Sequence, residues 1–197
     1  MYEKLYSDIA NSLVNDGYIV IHDALQKQLN LSLLSIAKDE NSYKKAGISN
    51  LASHHVDNDK RSDRTKWIDA DDNIQSEYLK FCDELRVYLN RSLYLGLSYY
   101  ESHFAIYEKG DFYEKHLDAF KSYKNRVVTT VYYLNEEWDD RDGGELIIYD
   151  DKGDEITKVA PTANTLVVFL SERFPHEVLQ ANKKRYSIAG WFRIDKN

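Results

Sequence analysis

Apolar residues recur at helical spacing in the first half of the chain and at strand spacing in the second. Leu5, Ile9 and Leu13 lie four apart over residues 2–16, with Gly17 as a C-terminal stop. "YIVI" (18–21) then predicts a short strand. Leu25, Leu29, Leu33 and Ile36 predict a second amphipathic helix to about Lys38. A third carries Ile74, Tyr78, Phe81, Leu85 and Tyr88/Leu89 on its apolar face. From Tyr99 onward the segments "SHFAIYE", "RVVTTVYYLN", "GELIIYD", "NTLVVFLS" and "RYSIAGWFRI" are short and rich in β-branched or aromatic residues. "RDGG" and "DDKGDE" supply turns between them. Helices first and strands later predict an α+β fold, a sandwich or open barrel backed by helices. The reading is one domain over residues 1–197: helical support over 1–98 and a strand core over 99–195. Within the support, residues 39–66 are polar with no sustained period and read as a mobile loop.

Composition removes several function classes. At 197 residues and 43% hydrophobic content the chain can bury a core, and no apolar run approaches the ~18 residues of a membrane span. The opening "MYEKLYSDIANSLVNDGY" lacks an apolar h-region, so no signal peptide is expected. The single cysteine, Cys82, sits in a helical pattern and reads as a packed thiol in a reducing cytoplasm. A net charge of −7 disfavours nucleic acid as a partner, and no membrane partner is expected.

The chemistry gathers at "YEKHLDAF" (113–120), where His116 and Asp118 would point the same way on an extended strand. His22, His54, His55 and His103 could each supply a third ligand. His176 in "ERFPHEV" is the more persuasive, because it follows the strand-like "TLVVFL" by a short loop. Two imidazoles and a carboxylate leave three positions open on an octahedral metal, as non-haem Fe(II) oxygenases need, although a zinc hydrolase uses the same set. Arg185 follows nine residues later. On a strand it shares a face with Ser187, Ala189 and Trp191. If inward, its guanidinium calls for an anion, and a dicarboxylate cosubstrate held at its far end would supply one.

These motifs together resemble the Fe(II)- and 2-oxoglutarate-dependent oxygenases, and within them the oxygen-sensing prolyl 4-hydroxylases and their bacterial relatives. "RVVTTVYYLNEEWDDRDGGELIIY" is similar to that family's barrel strands and "FPHEVLQANKKRYSIAGWFR" to its closing segment. "KRSDRTKWID" (60–69) resembles its Arg-x-Asp and Trp pattern after a substrate loop, and "DGYIVIHDAL" its opening strand and second helix. The resemblance spans about residues 10–194. It implies a double-stranded β-helix, a cupin-like jelly-roll barrel, with His116, Asp118 and His176 holding Fe(II). Arg185 would bind the distal carboxylate of 2-oxoglutarate with the Tyr133 hydroxyl, while Tyr107, Val131 and Leu146 line the pocket. Arg126 and Trp191 would lie near the substrate proline. His54, His55, Arg61 and Arg64 would give sequence preference along a peptide. Where the animal enzymes carry a threonine, this chain has Ala189.

The implied activity is hydroxylation of a prolyl residue to 4-hydroxyproline, with O2 consumed, succinate and CO2 released, and ascorbate as an optional reductant. The implied partner is a protein presenting a proline-containing loop, and the bacterial relatives suggest a translation factor such as elongation factor Tu. Three rival readings are an oxygenase of a small molecule or free amino acid, a nucleic-acid demethylase on a related barrel, and a non-catalytic binding barrel. The charge and the lack of a basic–aromatic run argue against the second, and the intact triad with Arg185 against the third.

Overall fold

The computed structural model describes residues 2–50, 53–55, 60–119 and 125–195, and of 48–50 and 53–55 the backbone only. Among the described residues three α-helices, α1 (Glu3–Asn15), α2 (Lys27–Ala37) and α3 (Asn73–Leu93), accompany thirteen strands. The strands are β1 (Tyr18–Ile21), β2 (Lys44–Lys45), β3 (Ile48–Asn50), β4 (Ser53–His55), β5 (Arg64–Trp67), β6 (Tyr99–Tyr107) and β7 (Tyr113–His116). They continue with β8 (Arg126–Tyr133), β9 (Leu146–Tyr149), β10 (Glu155–Val159), β11 (Leu166–Leu170), β12 (His176–Val178) and β13 (Arg185–Arg193). A larger sheet runs β1-β11-β8-β13-β6-β5-β2, and a smaller one β10-β9-β12-β7, with β3 and β4 forming a separate hairpin. All pairings within them are antiparallel. The two sheets face each other as a double-stranded β-helix, and the helices cover the outer face of the larger one.

Alternation along the strands builds this arrangement. In β6 and β8, Phe104, Val128 and Tyr132 pack outward on the helices, while Ala105, Tyr107 and Tyr133 pack inward between the sheets. Strands covered on both faces read as nearly continuous apolar runs, which is why β6, β8, β11 and β13 are visible in the sequence. α1 buries Tyr6, Ile9, Ala10 and Leu13, one stripe at helical spacing. α3 begins where the Asp72 carboxylate accepts from the N–H groups of Ile74 and Gln75, and it ends at Tyr94 with φ of 55°. Cys82 is buried on α3, and burial pushes its thiol up to about 12, so it is a core residue. No helix among the described residues is long and apolar enough to cross a membrane.

Two expectations need correction. Residues 39–66 are not a plain loop, since they hold a 3-10 turn (Glu40–Ser42), β2, the β3–β4 hairpin and the start of β5. Polar strands such as "RTKW" gain order from ladder pairing with β6, which no apolar period announces. For the same reason β10 carries no apolar period that would announce it. The second correction concerns His116 and Asp118, because β7 ends at His116 and Asp118 lies in the bend beyond it.

The outer face of β13 is closely fitted. A Cβ on Gly190 would lie 2.1 Å from the Tyr100 hydroxyl, which is itself bonded to Tyr78 (3.1 Å) and Thr130 (2.8 Å). Gly190→Ala is therefore expected to destabilise the fold by about 1–3 kcal/mol through overpacking. The urea midpoint reads this directly, and an unchanged midpoint would mean that Tyr100 moves aside freely.

Candidate active site

Three ligand-bearing side chains converge at one end of the cavity between the sheets. His116 and His176 are direct partners across the β7–β12 ladder, and Asp118 turns back toward them from the bend. Their donor atoms all lie within 4.8 Å of one another. Asp118 Oδ2 is 3.5 Å from His176 Nε2, and Oδ1 is 3.8 Å from His116 Nε2.

The surrounding groups fix the protonation that metal binding needs. His116 Nδ1 lies 2.7 Å from the Glu114 carbonyl and His176 Nδ1 3.0 Å from that of Phe174. Carbonyls only accept, so each Nδ1 carries the hydrogen and each Nε2 presents a lone pair to the centre. Burial, reinforced by the neighbouring His176, holds His116 well below the usual imidazole range and so neutral. Burial alone would raise the Asp118 carboxyl, but His176, His116 and Arg126 outweigh it and keep the group ionised. The Thr129 hydroxyl donates to Asp118 Oδ2 at 2.8 Å and meets Ser171 Oγ at 2.8 Å, which orients the carboxylate. This donor set fits a facially bound iron with open positions.

Arg185 opens β13 at the enclosed end of the same cavity and is 1% exposed. Its Nε donates to the Gly144 carbonyl (2.9 Å) and Nη1 to Ser187 Oγ (3.1 Å). No carboxylate pairs with it among the described residues, and a buried guanidinium without an anion is costly. Gly144 holds φ of +66°, and a Cβ there would come within 3.0 Å of Arg185 Cδ, so the glycine makes this close approach possible. The rings of Tyr107 and Tyr133 flank the guanidinium at 4.8 and 4.9 Å, and the Tyr133 hydroxyl is fully enclosed without a hydrogen-bond partner. An orphaned donor beside an unmatched cation suits one end of a dicarboxylate. The cavity measures about 550 Å³, and Val131 and Leu146 form part of its apolar wall.

At the mouth, Trp191 and Arg126 form one unit. The guanidinium lies 3.7 Å over the indole and donates to Glu101 at 3.1 Å. Arg61 lines the cavity in a bidentate pair with Asp63, both bonds 2.7 Å, over the Tyr113 ring. Arg64 does not belong here. Strand alternation sends it to the opposite face, where it pairs with Glu40 (2.6 Å) and Glu108 (2.7 Å), so the expected substrate role is withdrawn. Of the other histidines, His22 meets Thr165, and the side chains of His54 and His55 lie outside the described residues. His103 lines the cavity between Trp67 and Trp191, where burial lowers it to about 4, but it is not part of the triad. Asp63 is the acidic member of the Arg-x-Asp pattern in "KRSDRTKWID", and Thr129 is the site residue that no motif announced. For Thr129 the signal was its alternation with Val131 and Tyr133.

The 2OG-Fe(II) oxygenase superfamily matches residues 102–193, from within β6 to the end of β13. A Pseudomonas putida prolyl-4-hydroxylase is 35% identical over 97% of this chain and 100% of its own, with a TM-score of 0.87. The chain belongs to the 2OG-Fe(II) oxygenase superfamily. A second member, a Trichoplax adhaerens prolyl hydroxylase solved with a hypoxia inducible factor oxygen degradation domain peptide, is 27% identical. It covers 97% of this chain and 90% of its own, with a TM-score of 0.85. The hypoxia-inducible factor prolyl hydroxylase of Caenorhabditis elegans is 40% identical over 96 residues, 47% of this chain. The chain spans only 13% of that relative's length.

The Thr129 contact gives a test that leaves the ligands intact. Thr129→Val removes the donor that orients Asp118 and should weaken Fe(II) binding about 10–100-fold. Anaerobic Fe(II) titration measures it, and unchanged affinity would show that Asp118 is held by other means.

Proposed function

We propose that this oxygenase hydroxylates a prolyl residue of a protein substrate to 4-hydroxyproline. The observation that carries the proposal is the placing of an iron triad and an anion-free, buried Arg185 in one cavity. The likeness to the Pseudomonas putida prolyl-4-hydroxylase along the whole chain supports the choice of substrate.

Each residue has a distinct task in this reading. His116, Asp118 and His176 hold the metal. The Arg185 guanidinium and the Tyr133 hydroxyl bind the distal carboxylate of 2-oxoglutarate, and Tyr107 packs against that end. Val131 and Leu146 exclude water from the cosubstrate, and Ala189 adds no hydroxyl to the wall. When bound, iron with 2-oxoglutarate and O2 supplies the oxidant that replaces a C–H hydrogen by hydroxyl, releasing succinate and CO2. Trp191, stiffened by Arg126, offers a flat apolar shelf for a proline ring at the cavity mouth, and Arg61 stands beside it. Among protein substrates, a translation factor such as elongation factor Tu is the candidate carried from the resemblance to bacterial relatives. A cytoplasmic setting agrees with it and with the single buried Cys82.

The deciding experiment incubates the Fe(II)-loaded protein with 2-oxoglutarate, air and a soluble cell extract, then searches the peptides for one added oxygen on proline. Elongation factor Tu is tested alongside as a purified substrate. Succinate release driven by a free amino acid, with no proline oxidised, would overturn the proposal.

The cosubstrate end has its own prediction. Arg185→Ala deletes the partner of a desolvated carboxylate, an interaction of about 2–5 kcal/mol, so 2-oxoglutarate affinity should fall by roughly one to three and a half decades. Anaerobic titration of the visible band that 2-oxoglutarate adds to the Fe(II) protein reads the loss. Parental affinity in the variant would show that the carboxylate binds elsewhere.

A further inference from the structure

The cavity carries more positive charge than iron and cosubstrate use. Six lysine and arginine side chains line it against three carboxylates, in a chain whose net charge is −7. Most of these cations have an assigned partner. Asp63 matches Arg61, while Arg126 and Arg193 both donate to Glu101, at 3.1 and 2.6 Å. Asp118 belongs to the triad, and Arg185 faces the enclosed end. Lys44 and Lys45 of β2 remain. Both are exposed and neither forms an ion pair among the described residues, but Lys45 lies opposite Arg64 across the β2–β5 ladder and shares its outer face, which leaves Lys44 on the cavity side.

The register shows where this charge stands. Lys44 lies opposite Thr65, Thr65 opposite Ala105, and Ala105 opposite Ser187. Residues directly opposite across a ladder project to the same face. Lys44 is thus the outermost member of a row whose other members form the cavity floor. The next row, Trp67, His103 and Ala189, ends on a tryptophan that is 61% exposed. A peptide laid across the mouth meets an indole and an unmatched lysine side by side.

We propose that Lys44 selects an acidic residue flanking the target proline, so that the preferred substrate is a proline-containing segment bearing aspartate or glutamate beside the reacting ring. This rests on the prolyl hydroxylase reading above. Rim charges act on encounter and on selection between partners more than on the chemical step. The selectivity therefore belongs in Kd and KM, not in kcat.

The test uses the full chain loaded anaerobically with Fe(II) and 2-oxoglutarate. Three dye-labelled proline peptides, identical except for Glu, Gln or Lys at the flanking positions, are titrated by fluorescence anisotropy. The Glu peptide is expected to bind about two- to fivefold more tightly than the Gln peptide, and the Lys peptide more weakly than both. The spread should collapse near 1 M salt, where the screening length is about 3 Å. In the variant Lys44→Glu the order should invert. The side chain is solvent-exposed, so the variant keeps the fold's buried contacts. Lys44→Gln should merely level the three affinities, and Lys45→Glu, on the other face, should leave their order unchanged. Equal binding of all three peptides by the parent, with proline oxidised once air is admitted, overturns this inference alone. So does an unchanged order in the Lys44→Glu variant. Binding of none of the three, with no proline oxidised in any of them, overturns the prolyl hydroxylase reading as well.

Discussion

The strict alternation of β13 is the constraint on which the rest of the structure depends. This strand lies at the centre of the larger sheet and pairs along its length with both β6 and β8. Arg185, Ser187, Ala189 and Trp191 face the cavity, while Ile188 and Phe192 face the helices and Gly190 meets Tyr100. A slip of one residue would drive a guanidinium into the helical layer and turn Ile188 toward the cosubstrate. The nine-residue ladder with β6 makes that slip expensive, because every paired position would change faces at once.

A cavity built this way must hold charged groups away from water. Each half of the site solves the problem differently. At the metal end, backbone carbonyls take the Nδ1 hydrogens and Thr129 takes one carboxylate oxygen, so the polar atoms left over are those that point at a metal. At the far end the Gly144 carbonyl and the Ser187 hydroxyl satisfy only part of the Arg185 guanidinium. Its charge stays unmatched within the described residues, and the Tyr133 hydroxyl beside it stays unbonded. A site completed by its ligand has this form: binding supplies the anion and the acceptor that folding withheld.

Outside the cavity, ion pairs tie the flanking segments to the barrel. Arg64 and Lys184 share Glu40 and Glu108 in a four-charge network with contacts of 2.6 to 3.1 Å. Glu40 sits in the 3-10 turn before β2, and Lys184 immediately precedes Arg185. The network thus joins the root of the 39–66 segment to the start of the strand that carries Arg185. Its members are partly exposed, so its contribution is modest alignment more than large stability.

The sequence by itself determined the helices, the long strands and the membership of the triad. Leu5, Ile9 and Leu13 announce α1 by spacing, and "RVVTTVYY" announces β8 because both of its faces are buried. His116, Asp118, His176 and Arg185 are legible through residue chemistry and the motif they form. Tertiary structure alone decided the polar strands β2 and β5, whose order comes from hydrogen bonds to neighbours remote in sequence, and β10 is held by its hairpin with β9. It also decided the partners. Arg61 and Arg64 are alike in composition and three residues apart, yet the pleat sends one to the cavity and the other to Glu40 and Glu108. Thr129 becomes the support of Asp118 only when β8 passes beneath the bend after β7. Local spacing records which face a side chain takes, while the identity of what waits on that face is set by long-range pairing.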